Sequence, residues 1–115
     1  MANLIYKISP ADEWRKAEES GLYEGAAIDL ADGYIHFSTA AQVRETAAKH
    51  FAGKDNLVLV AVDAKRLGPA LRYEISRGDQ PFPHLYAPLS LEAVVWVKDL
   101  PLGPEGDHLF PPLDA

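Results

Sequence analysis

An α+β domain, with helices packed on a twisted sheet, is the fold class that three features of the sequence predict. Apolar segments with strand spacing alternate along the chain with segments that carry helix start and stop signals. At 115 residues the chain suits a single domain over 1–115, and such a length buries roughly 65% of its unfolded surface in one two-layer core. Apolar residues make up 48% and charged residues 24%, the usage of an ordinary folded domain.

The elements follow in order. Leu4 to Ile8 reads as a first strand. Ser9-Pro10-Ala11-Asp12 reads as a helix start, with Ser9 as cap, Pro10 in the first turn, and Asp12 and Glu13 at the positive end of the dipole. Ala11, Trp14 and Ala17 give that helix its apolar side, and Gly21 ends it. Leu22 to Leu30 reads as irregular, Asp32-Gly33 as a turn and Tyr34 to Ser38 as a short strand. Thr39 and Gln42 have capping-box spacing and open a second main helix to about Ala52, with Val43, Ala47, His50 and Phe51 along one stripe. Leu57 to Asp63 reads as a buried strand and Leu71 to Ser76 as an alternating one. Gly78 to Pro88 reads as a proline-stiffened loop, and Val94 to Lys98 as the last strand. The core is expected over about 4–100, followed by a Pro/Gly-rich tail over 101–115 that either packs through Leu109 and Phe110 or moves.

Composition excludes several chemistries. There is no cysteine, so thiol catalysis, disulfides and cysteine zinc sites are out. A net charge of −6 disfavours broad contact with nucleic acid, which needs clustered Lys and Arg, yet it leaves room for a small anionic ligand at a local site. The longest apolar run, Leu57 to Val62, is six residues, far short of the roughly 20 needed to span a bilayer. No signal-like start is present, and a soluble cytoplasmic protein with no membrane partner is expected.

Two constellations can carry chemistry. In Asp32-Gly33-Tyr34-Ile35-His36-Phe37-Ser38-Thr39 a strand delivers His36 and Ser38 to one face while Ile35 and Phe37 face the other way. With Thr39 and the following helix start, imidazole, hydroxyls and free N–H groups would make an anion pocket. The plain alternative is that Ser38 or Thr39 merely caps the helix and His36 is packed. In Arg77 to Leu89, a stiff loop presents Arg77, His84 and Tyr86. An arginine fork suits phosphate or carboxylate, and a tyrosine stacks on a base or ribose face. Here the alternative is a cover, with Phe82 and Leu85 plugging the core and His84 bonded to backbone. Glu74, beside Arg72, is a candidate general base or ribose ligand, or else an exposed ion-pair partner. His50 reads as a core or helix-end residue, His108 as solvent-exposed, and Trp14 and Trp96 as core. Metal-ligand spacing, a nucleophile elbow, a P-loop and a GxGxxG motif are all missing, so no metal site is expected.

The strings IYKI, DGYIHFSTAAQV, AAKHFAG, LVLVAVDAKRLG and LRYEISRGDQPFPHLYAPL, together with Trp14, resemble the bacterial domain-of-unknown-function family 952 from about Ile5 to Trp96. More distantly, the order Tyr6-Lys7, Gly21-Leu22, Ile35-His36-Phe37-Ser38, Ala47-Ala48, Val62-Asp63-Ala64 and Pro83-His84-Leu85-Tyr86 is similar to RNA 2′-phosphotransferases of the ADP-ribosyltransferase fold. That resemblance implies a compact split sheet with two main helices, gripping an NAD-like or ADP-ribose-like ligand in a cleft. It supports His36 and Ser38 as lining that cleft. Read together with the two constellations, it makes His36 and Glu74 the catalytic candidates, and Tyr6, Lys7, Ser38, Thr39, Arg77, His84 and Tyr86 the ligand-binding ones, although no glutamate stands at the late position where transferases of this fold place their catalytic acid. Two departures stand out: Lys7 replaces the first-strand histidine of those enzymes, and Ile8 replaces the glycine next to it. Three kinds of function follow as expectations: a transferase-like enzyme, a nucleotide-binding module without turnover, or an interaction protein whose histidines only pack.

Overall fold

The computed structural model describes residues 3–113, without the side chain of Arg77. Its first sheet joins β1 (Leu4–Pro10), β4 (Leu57–Asp63) and β8 (Val94–Asp99), all antiparallel, with β4 in the centre. Both faces of this sheet are covered. Ile5, Val58, Val60 and Val62 pack into one apolar cluster, and Leu4, Ile8, Leu57, Leu59 and Ala61 into another. Burial on two sides is why Leu57 to Val62 is continuously apolar instead of alternating.

α1 (Ala11–Ser20) buries Trp14 and Ala17 against the first cluster and ends at Gly21 as expected. Its start differs from expectation. Ser9 does not cap: Pro10 still belongs to β1, and the Ser9 hydroxyl donates to the Pro10 carbonyl at 3.0 Å. The stretch read as irregular holds β2 (Leu22–Tyr23) and α2 (Ala27–Asp32), so the described residues form three α-helices where two main ones were expected. β2 pairs with β7 (Leu89–Ser90). Gly33, at φ 84°, closes α2 in the left-handed region that favours glycine and turns the chain into β3 (Ile35–His36).

A third sheet has the order β3, β6 (Pro81–Leu85), β5 (Leu71–Ile75). β6 lies within the segment read as a loop, yet it is the central strand, because the prolines lose fewer ladder bonds than a central position suggests. Pro83 has Tyr73 opposite it on β5 and turns its carbonyl to the other side, where it accepts the Phe37 N–H at 2.9 Å. Having no N–H, it returns no bond to Phe37, and the β3–β6 ladder stops at His36 opposite His84. The chain then steps across to the first sheet: Tyr6 and Ser38 exchange backbone hydrogen bonds of 2.8 and 2.9 Å.

α3 (Val43–His50) begins four residues after Thr39. Only half of the expected capping box forms, the Thr39 N–H donating to Gln42 Oε1 at 3.0 Å, and Thr39 to Gln42 is a turn. Val43 and Ala47 are buried on the second apolar cluster, whereas His50 is exposed in the last turn. Phe110 and Leu113 pack on that cluster, while Leu109 stays exposed and His108 Nε2 meets the Lys54 carbonyl at 2.7 Å. Among the described residues no helix is long and apolar enough to cross a membrane.

Candidate functional site

Strand alternation assembles the site. His36 and His84 are opposite partners across β3 and β6, and Arg72 is opposite His84 from β5. Ile35, Leu85 and Leu71 form the next row and point into the first apolar cluster. The other face therefore carries Tyr34, His36, His84, Tyr86, Arg72 and Glu74. Its rings pack together: Tyr34 lies 4.6 Å from His36, 4.2 Å from His84 and 5.1 Å from Tyr86, centroid to centroid. The Arg72 guanidinium sits 5.5 Å from the centre of the Tyr86 ring.

Beneath His36 lies a buried polar unit centred on Asp29 of α2. Asp29 Oδ2 accepts from Lys7 Nζ at 2.8 Å and from the Ala26 N–H at 2.8 Å. Asp29 Oδ1 faces the His36 N–H at 3.1 Å and His36 Nδ1 at 2.5 Å. Burial pushes the Asp29 carboxyl up, but the His36 hydrogen bond and the Lys7 ammonium outweigh it and hold the group well below the usual carboxylate range. An ionised Asp29 makes Nδ1 of His36 the donor and turns Nε2 outward. Burial draws the Lys7 ammonium down from its ordinary value, against the pull of Asp29. Gly25 is part of this packing: at φ 111°, an added Cβ would meet Asp29 Cβ at 2.7 Å.

Nε2 of His36 faces Asp32 Oδ2 at 3.0 Å. On the far side of Tyr34, Glu74 Oε1 accepts from the Tyr86 hydroxyl at 2.6 Å and faces His84 Nδ1 at 2.9 Å. These two bonds lower the Glu74 carboxyl, and the same Glu74 bond, together with lost hydration, raises the Tyr86 hydroxyl. The Tyr34 hydroxyl is raised too, by lost hydration and then by Asp32, Glu74 and Asp29. His84, with 5% of its side chain exposed, supports the rings from below, whereas His36 at 32% meets solvent.

The structure thus brings His36, His84, Tyr86 and Glu74 together and connects Lys7 to them through Asp29. It sends three other candidates elsewhere. Tyr6 packs on Trp96 at 5.9 Å in the second cluster, on the opposite side of β1 from Lys7. Ser38 is buried, its hydroxyl 2.9 Å from that of Thr46. Thr39 belongs to the turn before α3. The Arg77 side chain lies outside the described residues. The aromatic face meets solvent through His36 and Tyr86. Surface depressions of about 450 and 220 Å³ lie away from it, the larger between α3 and the tail at Arg44, Ala47 and Phe110. Asp29, Asp32 and Tyr34 are site residues that sequence reasoning missed. Tyr34 was legible, two residues before His36 on the same strand face; the Asp29 contact had no local signal.

The model of DUF952, a family of proteins of unknown function, matches residues 8–97. The chain belongs to this family. Protein CC0527 from Caulobacter crescentus is similar throughout: its crystal structure has a TM-score of 0.89 at 51% identity, covering 92% of this chain and 93% of that one. Its solution NMR structure has a TM-score of 0.83 at 51% identity, covering 91% of this chain and 90% of that one. No curated protein matches the chain. Family membership accounts for the extended likeness in sequence and fold; an activity has to be argued from the aromatic face.

Proposed function

We propose that the Tyr34–His36–His84–Tyr86 face of this DUF952 chain binds a small nucleotide-like ligand of the ADP-ribose or NAD type. One observation carries the reading: four rings on and beside the paired strands β3 and β6 pack together, His36 and Tyr86 reaching solvent over the buried His84, with His36 oriented by a buried Asp29–Lys7 pair. Tyr34 and Tyr86 offer stacking faces for a base, His36 Nε2 a partner for ribose or pyrophosphate, and Arg72 a charge for phosphate. The distant resemblance to the ADP-ribosyltransferase fold points to the same ligand class. In a transfer reaction the ionised Glu74 would oppose the positive charge of an oxocarbenium ion.

A thermal-shift series with NAD, ADP-ribose, a 2′-phosphorylated nucleotide and inorganic phosphate tests this. Ligand at 100 times its dissociation constant stabilises by about 2.7 kcal/mol. Tyr34→Ala and His36→Ala are expected to abolish the shift, and His108→Ala to leave it intact. An unchanged melting temperature with every nucleotide at millimolar concentration would sink the reading.

A further inference from the structure

We infer that Asp32 is a specificity-determining residue that occupies, from within the chain, the oxyanion subsite at His36 Nε2. The inference rests on the ligand reading above only for the location of the site. Three observations support it. The Nε2 position already holds an oxyanion, since Asp32 Oδ2 lies 3.0 Å away. The opposite nitrogen is anchored separately, Nδ1 on Asp29 at 2.5 Å, so the ring keeps its aim when Asp32 leaves. Asp32 itself is loosely placed: its side chain is 41% exposed, and it is the last residue of α2, where a carboxylate meets the negative end of the helix.

With Nδ1 donating to Asp29, Nε2 carries a hydrogen only in the imidazolium form, and to that form an incoming phosphate oxygen offers the same charge-assisted hydrogen bond that Asp32 offers. It also stacks a second negative charge beside Asp32, a juxtaposition that disfavours binding. Asp32 and a ligand phosphate therefore exclude one another. The carboxylate sets a threshold: a lone phosphate gains too little to displace it, whereas a ligand that also stacks on Tyr34 and Tyr86 brings further binding energy. Asp32 thereby discriminates against free phosphate and in favour of aromatic phosphate esters.

The test titrates inorganic phosphate into wild type, Asp32→Asn, Asp32→Ala and the double variant Asp32→Asn/His36→Ala, following backbone amide and His36 ring signals by NMR. Both single variants are expected to bind phosphate about tenfold more tightly than wild type, with the largest shifts at His36. The double variant is expected to lose the gain. Equal or weaker phosphate binding in both single variants, or a gain that survives loss of His36, overturns the inference. Parallel titration with ADP-ribose separates the two proposals. Phosphate gain without ADP-ribose binding in any variant rejects the ligand reading and keeps Asp32 in its role. ADP-ribose bound equally by wild type and variants, with no phosphate gain, does the reverse.

Discussion

Asp29 is 1% exposed, and both of its oxygens face donors, two of them from His36. A carboxyl held below its unfolded value contributes stability above that value and loses it as pH falls through the folded one. Wild type should therefore lose stability between about pH 5 and that lower folded value, and Asp29→Asn should show a flatter profile there because it has no carboxyl to protonate. Urea midpoints measured against pH check this; parallel curves for the two proteins would remove Asp29 as the source. The neighbouring alternation of Tyr34, Ile35 and His36 was readable from spacing alone. Asp29 was not, because its side-chain partners Lys7 and His36 come from β1 and β3 and no local spacing encodes either contact.

At the scale of elements, α2 escaped notice because its polarity is inverted. Ile28 is 61% and Leu30 65% exposed while Asp29 between them is buried, so the apolar residues mark the wet side. A pattern search that seeks apolar positions inside finds no helix there. β6 escaped because proline is read as punctuation, whereas Pro81 and Pro83 both pair with β5. By contrast β1, α1 and β4 were legible, since propensity, patterning and burial agree in each. The missing N–H of Pro83, which keeps β3 short, can be put back. Pro83→Ala restores an N–H opposite the Phe37 carbonyl, so the ladder should lengthen by one pair, and hydrogen exchange should show residue 83 protected to the degree of Leu85. A freely exchanging amide at 83 would reject that explanation.

For the molecule as a whole, the sheet of β1, β4 and β8 is the wall between two apolar clusters, and one of them lies under the candidate site. Leu59, 0% exposed in that wall, should cost about 2–5 kcal/mol when changed to alanine. Ile28→Ala, on the exposed side of α2, should stay within about 0.5 kcal/mol. Denaturant midpoints compare them directly, and equal losses would mean that the burial pattern misplaces the core. Tyr6 and Lys7 are chain neighbours on opposite sides of that wall: one stacks on Trp96, the other reaches Asp29. A slip of β1 by a single residue against β4 would exchange them, driving an ammonium into the cluster around Leu59 and leaving Asp29 with a phenol. Strand alignment thus acts as a proofreading step, because a chain that pairs one residue out of place cannot assemble the support under His36 and so never presents the aromatic face with its imidazole correctly aimed.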